Sequence, residues 1–133
     1  MAADMDAEWE LTEASGTRPP VVRCDAAEAT HVHRLQALFQ ELPLTGTWHA
    51  AGLLADSVLP RQAARLLGRV YGPKAHGAWS LHDTSAMVPL RASALFSSVA
   101  ALLGGAGQAN YAAANACLDG LAGCRRVHAF AAA

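Results

Sequence analysis

Two side chains with hydrogen-bonding tips bracket three alanines in the stretch GQANYAAANACLDG, residues 107–120. They are Tyr111 and Asn115, which a helix would place on one face, one turn apart. Alanine favours the helix and asks nothing of its partners, so the phenol and the amide are either packing details or the reason for the helix. Upstream, SALFSSV reads as a strand whose exit carries Ser97 and Ser98. A hydroxyl, a phenol and an amide can therefore converge, and Lys74, on a separate helical stretch, can reach the same edge. An ammonium beside a phenol favours the anionic form and lowers its pKa, making it a usable proton donor near neutral pH. The spacing alone fits a capped, alanine-rich core helix with a partly buried tyrosine equally well.

Two further motifs carry less. Gly105-Ala106-Gly107-Gln108-Ala109-Asn110 follows the dinucleotide pattern GxGxxG until Asn110 fills the last position. No acidic ribose-binding residue follows about 20 positions later. These glycines are expected to turn the chain sharply after the strand. His31 and His33 would point to different faces of a helix, which makes shared metal ligation awkward. His76, His82 and His128 read as ordinary polar or half-buried histidines.

The elements that must position the candidate acid are legible from periodicity. Residues 1–20 are polar and acidic and end in Pro19-Pro20, the pattern of a disordered or loosely attached leader. PVVRCD suits a buried strand closed by Asp25. Residues 26–41 place Val32, Leu35, Leu38 and Phe39 at helical spacing. Residues 45–52 read as a short strand entering a small-residue loop. Pro60 suits the first turn of a helix continuing through RQAARLLGRV, which Gly72-Pro73 should interrupt or kink. A second helical stretch covers 74–84, and the last helix should fade near Gly123. Strands alternating with helices predict an α/β fold with a parallel sheet, whose ligands bind beyond the carboxyl ends of the strands. Three loops share that edge: around Asp25, from His49 to Gly52, and around Ser98.

Composition narrows the function classes. A chain of 133 residues, 53% hydrophobic and 16% charged, suits one modest folded soluble domain. Much of the apolar fraction is alanine, so the core should be broad but shallow. A net charge of -1 without a basic block argues against nucleic acid and anionic membrane partners. Cys24, Cys117 and Cys124 are odd in number and lack metal or redox spacing, which predicts reduced thiols in a cytoplasmic protein. No stretch has transmembrane length, and the acidic N-terminus does not read as a signal or transit peptide.

Four ordered motifs, WHAAGLLADSVL, YGPKAHGAWSLH, LFSSVAALLG and GQANYAAANACLDGLAGCRR, together resemble the ketoreductase domains of modular polyketide synthases and animal-type fatty acid synthases. These belong to the short-chain dehydrogenase/reductase superfamily. Most of that superfamily carries YxxxK with an asparagine on the preceding helix. Here YxxxN follows an upstream lysine, as in the synthase ketoreductases. The resemblance implies a catalytic tetrad of Lys74, Ser98, Tyr111 and Asn115, with Ser98 preferred to Ser97 as the second of its pair. The implied reaction is hydride transfer from NADPH to the β-carbonyl of an acyl chain on acyl carrier protein. By the same resemblance Tyr111 protonates the developing alkoxide, Ser98 hydrogen-bonds that oxygen, Lys74 holds the nicotinamide ribose, and Asn115 keeps a relay water in place. Asp25 matches the acid that contacts the adenine, and His49, Ala50, Ala51 and Gly52 match the loop beside the cofactor's ribose. Asp56, in LAD, stands at the diagnostic place of the LDD motif of B-type domains, while Leu103 stands where A-type domains have tryptophan. Both lean toward a D-configured 3-hydroxy product.

The resemblance runs from about Val21 to Arg126, giving a leader at 1–20, a partial ketoreductase domain at 21–126 and a tail at 127–133. The family's first β-α-β unit, with its pyrophosphate loop and 2′-phosphate-selecting basic residues, and its C-terminal strand and lid helix have no counterpart here. A partial Rossmann-type, doubly wound fragment is therefore expected, with a bare edge on the 45–50 strand. Two functions follow. The chain is the catalytic half of a ketoreductase, partnered by other synthase domains or a complementing N-terminal half, or it is a non-catalytic remnant that at most packs against a synthase.

Overall fold

A computed structural model describes residues 23–38 and 44–131. The expected leader, Val21, Val22 and Phe39 lie outside these residues. Among the described residues seven α-helices and β-strands follow in order: α1 (Ala29–Leu38), β1 (Gly46–His49), α2 (Ala64–Tyr71), α3 (Gly77–Thr84), β2 (Ala92–Leu95), α4 (Ala100–Leu103) and α5 (Ala109–Ala131). The two strands pair in parallel, with Gly46 opposite Ala92 and His49 opposite Leu95. A parallel pair needs a crossover, and α2 and α3 provide it. The ladder extends past both ends, where Arg91 N–H donates to Thr45 O at 2.8 Å and Phe96 N–H to His49 O at 2.9 Å. This is the expected α/β architecture, reduced to a small sheet with helices packed on it. Among the described residues each strand has one unpaired edge, the outer edge of β1 included.

Several boundaries depart from the periodicity. Arg23–Asp25 lie outside any strand. Pro60 opens only a short 3-10 turn, Leu59–Arg61, and the α-helix starts later, at Ala64. The expected break at Gly72-Pro73 is instead a π turn, Gly72–His76, closed by Gly77 N–H donating to Gly72 O. Proline has no N–H to give, and its ring crowds the carbonyl four residues back. A wider turn absorbs both problems, and α2 passes through it into α3. The glycines after β2 do turn the chain: Gly104 and Gly107 have φ of 72° and 73°. The short helix α4, between Ser98 and Gly104, had no strong periodic signal.

The core is as thin as its alanine content implies. Leu118 and Leu121 of α5 meet Ala78 of α3 and pack against Leu95 of β2. Of the four largest fully buried side chains, Leu118 and Val70 are apolar, while Asn110 and Asn115 are amides. α5 does not fade at Gly123 but runs to Ala131. Glycine's penalty of about 1 kcal/mol is a weak local preference that packing overrides. A Cβ at Gly123 would meet nothing within 4 Å. Gly123→Ala should therefore stabilise the chain by about 0.5–1 kcal/mol. Thermal unfolding of the variant should show a raised midpoint; a lowered one would mean that α5 is not helical there.

Candidate active site

Both strands end on the same residue. At the exit of β1, His49 turns its imidazole into the protein, 4% exposed, and Nε2 lies 3.0 Å from the backbone oxygen of Lys74. A carbonyl only accepts, so Nε2 carries the hydrogen. At the exit of β2, Phe96 O accepts from Lys74 Nζ at 3.2 Å. The lysine stands in the π turn and is itself only 4% exposed. Its ammonium sits 5.3 Å from the centroid of the Tyr111 ring, close enough for a cation–π contact. Gly52 completes this wall. A Cβ there would come within 2.7 Å of Lys74 Cε and 3.2 Å of Nζ, so the backbone approaches the lysine closely only because the residue is glycine.

Tyr111 and Asn115 share one face of α5, as their spacing implies. Asn115 is fully buried, and its Nδ2 donates to Tyr111 O at 2.8 Å. Its Oδ1 is buried without a hydrogen-bond partner among the described residues. A buried acceptor left unpaired carries a desolvation cost, so this oxygen is fitted for a bound water or ligand donor. Ser97 and Ser98 diverge. Ser97 Oγ donates to Asn115 O at 3.4 Å, tying β2's exit to α5, whereas Ser98 Oγ accepts Ala100 N–H at 3.2 Å at the start of α4. A hydroxyl that accepts in this way still has its hydrogen to donate. The two serines line an open depression of about 360 Å³ with Val99, Leu102 and Asp119, to which Lys74, Tyr111 and Asn115 do not contribute.

Asp25, expected to face a cofactor, is locally engaged: its Oδ1 accepts Ala27 N–H at 2.9 Å. Its loop nevertheless reaches the site, because a Cβ on Gly77 would lie 3.1 Å from both Ala26 Cβ and His49 Cε1. His31 is used nearby, its Nδ1 accepting Asp25 N–H at 3.3 Å. Ala50 is exposed and Ala51 half-buried, both on the loop that leads to Gly52. The spacing did not single out Asn110 or Gln108. Asn110 Nδ2 donates to Ala55 O at 2.9 Å, and Gln108 Nε2 donates to Asp56 Oδ2 at 3.2 Å. Both residues stood in the discarded GxGxxG match, and the only sequence signal was polarity beside the tyrosine.

Comparison with known proteins agrees with this geometry. Residues 2–133 match the family model described as KR domain. The spectinabilin polyketide synthase system protein NorB of Streptomyces orinoci is 48% identical over 118 residues, covering 88% of this chain and 5% of that protein. Mycoketide-CoA synthase of Mycobacterium tuberculosis is 40% identical over 116 residues, covering 86% and 3%. Among solved structures, the first ketoreductase of the tylosin PKS superposes with a TM-score of 0.72 at 42% identity, covering 80% of this chain and 23% of that one. A structure of A-type ketoreductases from a modular polyketide synthase gives 0.79 at 39% identity, covering 84% and 24%. The chain thus spans a few hundredths of the synthases and about a quarter of the ketoreductase chains.

The brace on Lys74 has a pH signature. Burial, opposed in part by the bond to Lys74 O, holds the His49 pKa below its ordinary 6.5. The unfolded chain therefore binds this proton more readily than the folded one. The stability it supports is complete above the ordinary value and is lost as pH falls toward the depressed one. The unfolding midpoint should drop as pH falls below about 6.5. His49→Gln should flatten that slope, and an unchanged slope would remove His49 as its cause.

Proposed function

This chain belongs to the KR domain family of polyketide synthases, and we propose that it carries the catalytic face of an NADPH-dependent reductase. Its substrate would be a β-ketoacyl thioester on acyl carrier protein, and its product the 3-hydroxyacyl thioester. One observation carries the reading: a buried lysine ammonium lies over the ring of Tyr111, with a buried amide one turn further along the same helix.

The residues present fit the ribose and nicotinamide end of such a cofactor. Gly52 lets the backbone run against Lys74, where a Cβ would strike the lysine chain, and Asn115 Oδ1 is an acceptor awaiting a donor. Lys74, Tyr111 and the His49–Gly52 backbone would hold that end. Asp25 would serve the adenine end, once released from its turn with Ala27. The cofactor, when bound, supplies the hydride.

The chain's own residues then manage orientation and charge. Tyr111 gives its phenolic proton to the carbonyl oxygen as negative charge develops there. The Lys74 ammonium above the ring favours the negative charge that the departing proton leaves behind. Ser98 donates its hydroxyl hydrogen to the same oxygen, stabilisation aimed where charge appears. Asn115 Oδ1 holds a water through which the proton lost by Tyr111 is replaced. Packing supports this division of labour, because α5 offers the acid and its organiser on an alanine background that lets other groups approach closely.

Tyr111→Phe keeps the ring under Lys74 and removes only the proton. Reduction of a β-ketoacyl thioester, followed by loss of NADPH absorbance, should fall by about 10²–10⁴ with NADPH binding little changed. The chain should be titrated with NADPH both alone and with a supplied N-terminal β-α-β segment. Unchanged turnover in the variant would overturn the role of Tyr111. No NADPH binding under either condition would favour a non-catalytic remnant that packs against a synthase.

A further inference from the structure

The loop after β1 is fastened to the start of α5 by three consecutive residues. Ala55 O accepts from Asn110 Nδ2 at 2.9 Å, Asp56 Oδ2 accepts from Gln108 Nε2 at 3.2 Å, and Ser57 N–H donates to Gly107 O at 2.8 Å. Gln62 adds a fourth tie from the other side, its Nε2 donating to Ser57 O at 2.8 Å. A Cβ at Gly107 would meet the Ser57 backbone at an ordinary 3.6 Å, so it is the φ of 73° that reserves this position for glycine. Among these side chains Asn110 is the buried one, 2% exposed, whereas the Gln108–Asp56 pair is exposed.

Asn110 also faces its neighbour. Its Oδ1 accepts the backbone N–H of Tyr111 at 2.8 Å. One amide therefore joins the loop to the residue that carries the proton. A buried donor is costly to leave unmade, so the Ala55 contact is favoured over a solvated loop. With Ala55 and Ser57 both pinned, Asp56 cannot shift relative to Tyr111 without breaking a bond.

We propose that Asn110 is a positioning residue that locks the 55–57 segment against the tyrosine helix, fixing one wall of the substrate side and so the face of the ketone presented for reduction. The wall rests on the ketoreductase reading; the lock itself does not. Asn110→Asp keeps the acceptor for Tyr111 N–H and removes the donor to Ala55 O. Asn110→Ala removes both, and Gln108→Ala breaks only the exposed tie.

Amide hydrogen exchange across residues 53–58 of the full chain reads the lock directly. Exchange at Ser57 should rise by about tenfold in Asn110→Asp and Asn110→Ala, and less in Gln108→Ala, while amides in 112–123 stay protected. Reduction of a 3-oxoacyl thioester reads the consequence. The Asn110 variants should yield mixed 3-hydroxy configurations and a lower kcat, with NADPH affinity unchanged. Unaltered exchange in a folded Asn110→Asp protein overturns the lock. If Asn110→Ala does not fold, unaltered exchange in Gln108→Ala and Asn110→Asp does the same. A loosened segment with unchanged configuration and kcat overturns the positioning role. A wild-type chain that binds NADPH yet reduces no ketone overturns the catalytic reading, and the exchange comparison separates that failure from failure of the lock.

Discussion

A lysine ammonium withdrawn almost wholly from water sets the terms for the surrounding structure. Desolvating such a charge costs on the order of several kcal/mol, and the fold must return it through contacts. Phe96 O and the face of Tyr111 supply them at the side-chain end, while His49 steadies the backbone end. Each contact comes from a different element, so β1, β2, the π turn and α5 must all be in place at once. The parallel pairing of β1 and β2 brings His49 O and Phe96 N–H together and aligns the two strand exits on Lys74. The glycine at 52 and the closely packed glycine at 77 follow from the same crowding.

This arrangement explains a core that would otherwise look poorly built. Two of its largest buried side chains are asparagines, and around them α5 is mostly alanine. An apolar residue of similar volume at either position would bury no amide. Asn110 and Asn115 instead bond backbone groups, Ala55 O and Tyr111 O, that must be held in place beside the phenol. Buried amides are directional where leucines are not, so the core gives up some cohesion and gains a defined geometry at one helix end.

The parts legible in the sequence are those that depend on short spacing. The helix carrying Tyr111 and Asn115, the α/β alternation and the sheet edge that Lys74 reaches follow from periods of two and 3.6 and from chain direction. Parts that depend on distant partners were not legible. Pro73 reads locally as a break, and only the surrounding packing, with His49 bonded to the turn, shows that a helix can carry it. Gly123 reads as the fading end of a helix because its small local penalty is visible and the packing of Leu118 and Leu121 is not. Asn110 meets a carbonyl 55 residues away, and no local pattern encodes that contact. Asp25 shows the converse: its short-range turn with Ala27 is ordinary, and its place near the site comes from Ala26 packing beside Gly77.

The π turn has a consequence for how this region tolerates insertions and deletions. A five-residue hydrogen-bonded loop inside a helix amounts to one residue added to a regular ladder, closed here from Gly77 to Gly72. Removing Pro73 would let α2 and α3 join as one continuous α-helix, a locally easier structure. Gly77 would then stand four residues from Gly72, at ordinary helical spacing, so α3 would keep its facing toward the core. The change would fall within the turn itself, where Lys74 takes its alignment with both strand exits. A shortened chain could thus gain helical regularity and lose its site, so the length of this segment is constrained as tightly as its residue types.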